Sequence, residues 1–462
     1  MSEKGEILEG FLRQYPHIIY ATPTSENYEA LREAYILGNP TVPLAIVRPQ
    51  TAKDVALLVS HAVAQGIEIS VRSGGNDIFG RCFVQGALAI DMRDINFVRV
   101  ADDCRSATIG GGIIASHLVS ELGRYKLATA VGSAPMVGWI GWATHGGYGP
   151  FVANYGLGVD QIIAAKVADH TRNIVTADDR MLAAIRGGGG CMGVIVEVTI
   201  KVYPLDEVLG GVIVFKTDDL TATLNKFTDG YRILAAQGLP DALGLQQSIV
   251  NTPMGKVFAA IFMWSSSDFA LGHHWLQQIE NLGEVLSNSV IPTTIAKWLD
   301  DAGAYVPKTA YGGNCTLSIR NFTQEVITTV GEQISKMPDD PATLFSAHQL
   351  RGKSASPRID SVFGSRTPHY VLEFIATSSS KDKAQEAWGW ATGFREAMSN
   401  TTPSNILPGT YISLTPPNDA NYPEIYGTSW ERLVDIKKIY DPNNVFRHAM
   451  PQFLLSLSLT YP

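Results

Sequence analysis

The stretch VRSGGNDIFG, residues 71–80, sets the reading of the whole chain. It predicts a strand that runs into a tight glycine turn, a shape in which main-chain N–H groups converge on a phosphate. Asn76 stands at its centre. Upstream, PLAIVRP (43–49) reads as a buried strand, and Thr51 with Asp54 has the form of an N-capping pair. Val55, Leu58, Val59, Ala62 and Val63 follow at helical spacing, Gly66 ends the pattern, and EISVRSGG returns as a strand. The unit is strand, helix, strand, and its second strand feeds the glycine turn.

Further along, ALAIDM, SATIGGGI and IIAAKVADH read as short strands, and VIVEVTIKVYP (194–204) alternates like a half-exposed one. From about residue 208 the texture changes. Strand-like runs (GGVIVFK, KVFAAIFMW, CTLSIRNF, TLFSAHQL, HYVLEFIATS) are interleaved with helical patterns near 268–287, 323–336 and 381–399. This predicts a second α+β domain, one antiparallel sheet with helices on one face. SWERLVDIKKIYDPNN is an amphipathic helix entering an Asp-Pro turn, placed to return to the first domain.

A chain of 462 residues exceeds one ordinary core, and 45% hydrophobic residues suffice to bury two. The net charge of −8 with dispersed Lys and Arg argues against nucleic acid and anionic membrane as partners and for a small-molecule ligand. MSEKGEILEGFLRQYP lacks a secretory h-region, and no apolar run reaches the ~18 residues of a membrane span, so a cytoplasmic protein is expected. Cys82, Cys104, Cys191 and Cys315 are widely spaced, without metal-ligand spacing, which leaves reduced thiols as the default.

The glycines concentrate at 72–75, 110–112, 132–158 and 186–190. Any one cluster is explained by tight turns; four in one domain suit a long, flat, phosphate-bearing ligand threaded between strands. Neither GxxxxGK[ST] nor a GxGxxG placed between an early strand and a helix is present, which disfavours a P-loop or plain Rossmann protein.

Four motifs in order carry a resemblance: RSGGNDIFG, GSAPMVGWIGWATHGGYGPFVANYGLGVDQI (132–162), RGGGGCMGVIVEVTIKVYP (186–204) and WERLVDIKKIYDPNNVFR (430–447). Together they resemble the flavin-binding motifs of berberine bridge enzyme-like oxidases, within the vanillyl-alcohol oxidase and p-cresol methylhydroxylase flavoproteins. The resemblance implies an α+β, two-domain, PCMH-type FAD-binding fold: residues 1–207 as the FAD-binding domain, 208–424 as an antiparallel-sheet substrate domain, and 425–462 as a C-terminal segment completing the first. It places the FAD diphosphate on Arg72, Ser73, Gly74, Gly75 and Asn76, with Asp77 also at the cofactor. The flavin would be flanked by Ala134, Val137, Gly138, Gly141, Gly146, Gly147 and Gly149, then by Gly190, Gly193 and Val194, with Tyr440 and Asn443 from the tail.

Two departures stand out. The family's histidine anchor to the flavin is Asn76 here, and its cysteine anchor is Ala134, so FAD is expected to be non-covalent. Cys191 replaces a family asparagine and is not assigned as a substitute anchor. Val137 falls where the resemblance places the residue that gates oxygen, and a valine there is compatible with an oxidase.

Tyr411 matches a family tyrosine that serves as base or substrate orienter, while the second tyrosine of that motif is Leu414. His145 replaces a family glycine, and either a catalytic or a structural role fits a lone imidazole. Trp139 and Trp142 flank the same loop as core or stacking residues, and His348 and His369 lie on strands of the second domain. Alternation puts His369 and Tyr370 on opposite faces. The expected activity is an oxidase: hydride transfer from a small organic molecule to FAD, with dioxygen as acceptor, in secondary-metabolite tailoring. A redox-neutral isomerase or pericyclic cyclase on the same scaffold is the alternative, and a non-catalytic flavin-binding module a third.

Overall fold

The computed structural model describes residues 3–453; residues 1–2 and 454–462, the latter part of the expected C-terminal segment, lie outside the described residues. The predicted strand–helix–strand unit is present. Asp54 N–H donates to Thr51 Oγ1 at 3.2 Å and Thr51 N–H to Asp54 Oδ2 at 2.9 Å, a reciprocal cap that starts the helix Ala52–Ala64. That helix buries Val55, Leu58, Val59 and Ala62 against strands Ala45–Arg48, Leu88–Asp91 and Ile69–Arg72, which run parallel. The turn after Arg72 therefore opens at the carboxyl end of a parallel strand, where α/β sheets bind ligands.

Among the described residues a second, antiparallel sheet takes the order Val98–Val100, Ser106–Gly110, Val194–Lys201, Ile162–Ala168, Ile174–Thr176. A third sheet has eight strands, all antiparallel, drawn from residues 207–378. Helices Leu220–Gln237, Gln324–Ile334 and Lys381–Ser399 cover one of its faces through Phe227, Val330 and Phe394, which meet Phe258, Phe345 and Phe374. Each such phenylalanine contributes about 1.5–3 kcal/mol by leaving water. The helix expected over 268–287 ends at Glu280, because Val285–Asn288 is recruited as an edge strand beside Glu207–Phe215.

The opposite face of this sheet is polar. On strand His369–Ser378, Leu372, Phe374 and Ala376 enter the helical core and Tyr370 stacks edge-on to Phe322, whereas His369, Val371 and Glu373 point the other way. Cross-strand register puts Glu373 opposite Thr316 and Ser346, and His348 opposite Gln246. This face looks toward the first two sheets: Ser133 Oγ donates to Gln246 Oε1 at 3.2 Å.

The helix Trp430–Tyr440 returns to the N-terminal half, its Leu433 and Ile436 buried with Ile185 and Cys191. Lys437 Nζ donates to the Cys191 carbonyl and to Asp441 Oδ2, both at 2.6 Å, and neither charged side chain is exposed. No described helix is long and apolar enough to cross a membrane.

Candidate active site and cofactor cleft

The glycine turn carries five consecutive main-chain N–H groups, Gly74 to Ile78, that meet no acceptor among the described residues. Gly75 makes the turn possible at φ +81°, a conformation that side chains resist. The Arg72 guanidinium lies directly against this turn, where a Cβ on Gly75 would stand 2.6 Å from its Nε, and it donates to the Leu31 carbonyl at 2.8 Å. Asp77 turns toward the following loop: it pairs with Arg81 at 2.7 Å and caps the Phe79 and Arg81 amides. Arg81 then donates to the Ser413 carbonyl at 2.9 Å and ties this turn to the Tyr411 loop.

A second turn, Ser133 to Gly138, lies against the first. The main-chain N–H groups of Ser133, Ala134 and Met136 likewise meet no acceptor among the described residues. Asn76 Nδ2 donates to the Met136 carbonyl at 2.5 Å. A Cβ on Gly138 would stand 2.4 Å from the Gly74 nitrogen, and one on Gly74 equally close to the Gly138 nitrogen. Ala134 and Val137 are half-buried along this turn, and Gly141 is exposed with nothing within 4 Å of a Cβ built there. Two amide-rich turns that meet backbone to backbone at Gly74 and Gly138 and lead to an open glycine fit a diphosphate and a flat ring.

Other expected cofactor residues are spent on packing between chain segments. Gly146 and Gly187 close on Phe363, Gly147 on Gly158, Gly149 on Val131 and Gly193 on Val167. The run 186–190 is the broken end of the helix Asp179–Gly188. Gly190 is half-buried and Val194 starts a strand. Tyr440 donates to Asp178 at 2.5 Å, at the N-cap of that helix, and Asn443 is exposed. Its neighbour Asn444 is the buried one, donating to the Phe453 carbonyl at 3.1 Å.

His145 lies with Nδ1 3.0 Å from the Gly141 carbonyl and Nε2 3.1 Å from the Met450 carbonyl, so both ring nitrogens are engaged by main chain. Burial holds its pKa below the ordinary histidine value, against two carbonyls that favour the cation. The ring fastens the C-terminal segment to the helix Trp139–Thr144, with Gly189 leaving it room.

Tyr411 is buried beside Tyr148, ring centroids 4.9 Å apart and planes at 69°. Its hydroxyl accepts the Gly147 N–H at 3.4 Å, and its own N–H donates to Thr316 Oγ1 at 3.3 Å. Burial pushes the phenol up to about 12. Tyr148 and Tyr411 line a narrow cleft of about 20 Å³ with Gly187, Phe363, Thr410 and Tyr426. On the polar sheet face, His348 Nε2 lies 3.3 Å from Glu373 Oε2, both side chains about nine-tenths buried. Tyr148 and Glu373 were not singled out from sequence: the first reads as one more residue of a glycine loop, the second as a lone acid in an apolar strand. Trp139 is core and donates to the Ala130 carbonyl; Trp142 is half-buried and donates to the Tyr148 carbonyl.

Cys191 is fully buried beneath the Lys437–Asp441 pair, and burial pushes its thiol up to about 12. The half-buried Ala134 and the fully buried Cys191 thus leave no reactive thiolate at either position.

Comparison with known proteins agrees with this geometry. Residues 43–178 match a family model described as FAD binding domain, and residues 415–451 one described as berberine and berberine like. The chain is 32% identical over 440 residues to the FAD-linked oxidoreductase aurO of Gibberella zeae, covering 94% of this chain and 85% of that protein. Over 225 residues it is 32% identical to (R)-6-hydroxynicotine oxidase of Paenarthrobacter nicotinovorans, 47% of this chain and 49% of the other. Its fold superposes on 6-hydroxy-D-nicotine oxidase from Arthrobacter nicotinovorans with a TM-score of 0.83 at 22% identity, covering 93% and 96% of the two chains. For the BBE-like 1 protein of Physcomitrella patens the TM-score is 0.80 at 20% identity, covering 95% and 97%.

Proposed function

The chain belongs to the berberine bridge enzyme-like family of FAD-linked oxidoreductases and has its PCMH-type fold, and from that premise we propose that it is an oxidase holding FAD without a covalent bond. When bound, FAD supplies the two-electron acceptor. The carrying observation is the run of five unpaired amides, Gly74 to Ile78, faced by those of Ser133, Ala134 and Met136. These groups would hold the diphosphate. Asn76 and Ala134 offer no nucleophile at the two tether positions, and the buried Cys191 thiol stays protonated.

The substrate reading is a small organic molecule, tailored in secondary metabolism, oxidised at a C–O, C–N or activated C–H position. It would react beside Tyr148 and Tyr411, near the sheet face that carries the His348–Glu373 pair. Tyr411 would orient or deprotonate the reacting group; burial, with a smaller contribution from Glu373, raises its phenol and favours the neutral, orienting form. Val137, half-buried and without bulk, leaves access for dioxygen.

The test is anaerobic mixing of the yellow protein with a panel of small alcohols, amines and phenols. Bleaching, followed by recovery of colour with formation of hydrogen peroxide when air is admitted, is the expected result. Recovery only with an artificial dye overturns the oxidase assignment, and product formed by colourless protein overturns the redox reading.

A further inference from the structure

Tyr148 directly follows the Gly146-Gly147 pair and lies against Tyr411 in the cleft. Its hydroxyl is 3.1 Å from His369 Nε2. On the far side of the ring, His369 Nδ1 is 2.6 Å from the Thr367 carbonyl oxygen. A carbonyl only accepts, so Nδ1 carries the proton, Nε2 presents its lone pair, and the Tyr148 hydroxyl donates. Tyr148 is 6% exposed and His369 2%, so water does not compete for this bond. A buried imidazole oriented by a carbonyl behind it and a hydroxyl before it has the arrangement of a base and its orienter.

The surroundings leave the pair without a fixed countercharge of its own. Tyr148 faces Tyr411 and the edge of Phe363; burial raises its phenol well above the ordinary value, Tyr411 adds to that, and Ser365 and then Arg366 oppose it. Arg366 is itself matched by two 2.8 Å bonds to Asp160. Glu373 acts on Tyr411 from the sheet floor. Burial lowers the His369 pKa from its ordinary value, so the ring is neutral and able to take a proton near neutral pH. Tyr411, by contrast, receives a main-chain N–H and has no imidazole behind it.

We propose that Tyr148 is an acid/base group of the cleft and that His369 is the positioning residue that holds its hydroxyl and receives its proton. This rests on the oxidoreductase reading of the same site. As the substrate is oxidised, its O–H or N–H proton passes to the Tyr148 oxygen while the Tyr148 proton passes to His369 Nε2. The C–H bond breaks, and its hydrogen leaves with both electrons to FAD, the two-electron acceptor. Charge and protons balance: one proton ends on His369, and the substrate becomes a carbonyl or imine. Tyr411 then orients the substrate.

Two measurements test this on the FAD-loaded protein. The first is ¹⁵N NMR of histidine-labelled protein, with His369 assigned by its loss in His369→Gln. The expected state at pH 7 is neutral, protonated on Nδ1, with an Nε2 resonance that moves in Tyr148→Phe when its donor is removed. A proton on Nε2, or a resonance indifferent to Tyr148→Phe, overturns the pair.

The second uses whichever panel member bleaches the wild type. Tyr148→Phe is expected to slow bleaching about 100-fold or more. His369→Gln keeps a hydrogen-bond acceptor for Tyr148 but cannot take its proton, so it should slow bleaching about tenfold and abolish the fall in rate at acid pH that His369 protonation causes. Unchanged rate and pH profile in His369→Gln overturn the proposal while leaving the oxidase reading intact. Absence of bleaching in the wild type overturns that reading, and the NMR result then decides the pair alone.

Discussion

Asn76 Nδ2 donates to the Met136 carbonyl oxygen at 2.5 Å, so a side chain of the first glycine turn bonds the opposite turn. The bond links the two amide-rich turns as a strut. Asn76→Ala removes one neutral hydrogen bond, worth about 1 kcal/mol, and should weaken FAD affinity roughly fivefold. Titration of the apoprotein by flavin fluorescence measures it, and an unchanged affinity would show that the strut does not order the turns.

Gly138 and Gly141 separate close approach from open space. An alanine Cβ at Gly138 lands 2.4 Å from the Gly74 nitrogen, which forces the turns apart at a cost of about 1–3 kcal/mol. Gly141, inside the helix Trp139–Thr144, has nothing within 4 Å. Gly141→Ala should leave thermal stability unchanged or slightly higher, since alanine is the better helix former by about 1 kcal/mol, yet reduce FAD affinity if the ring passes there. Thermal melts with and without FAD check both variants; a Gly138→Ala protein with wild-type stability and affinity contradicts the contact.

The strand–helix–strand unit was legible because its signals are local: the Thr51–Asp54 cap, the apolar helical stripe and Gly66 all act within a few residues. The glycine clusters were legible as loops, but not what fills the space beside each. Phe363 comes from 176 positions beyond Gly187, and no local pattern announces that meeting. The strand Leu243–Thr252 was not picked out, since Gln246, Ser248 and Asn251 break its apolar alternation; Gln246 is polar where it meets Ser133, and Asn251 where it holds the Pro338 and Asp340 carbonyls. Glu373 becomes a candidate only once register places it opposite Thr316 and Ser346. Tyr440 and Asn443 followed a motif, whereas in the fold their segment contributes Lys437, Asp441 and Asn444 to the buried interior.

Lys437 and Asp441 are the costliest of these to disturb. With both side chains enclosed, Lys437→Met strands the Asp441 carboxylate with only the Val445 and Phe446 amides for partners. Loss of one member of such a pair costs about 3–5 kcal/mol. A drop of that size in urea-unfolding free energy, at unchanged slope, is expected; a loss below about 1 kcal/mol would mean the pair is open to water.

Thiol chemistry gives a pH test. Burial pushes Cys82, Cys191 and Cys315 up to about 12 from an ordinary 9.0, while Cys104 is exposed. Iodoacetamide at pH 8 should therefore label Cys104 alone in the native protein. Raised folded values mean that the native state holds these protons more tightly than the unfolded chain. Their contribution is complete below 9.0 and is lost as pH rises toward about 12. Stability should fall across that alkaline window and not on mild acidification through these groups. Rapid native labelling of Cys191 would contradict its burial.

Acid precipitation of the purified yellow protein tests the proposed non-covalent FAD site most directly. The expected result is FAD in the supernatant and a colourless pellet whose intact mass equals that of the unmodified chain. Flavin retained by the pellet, or a protein that stays colourless after reconstitution with excess FAD, would contradict it.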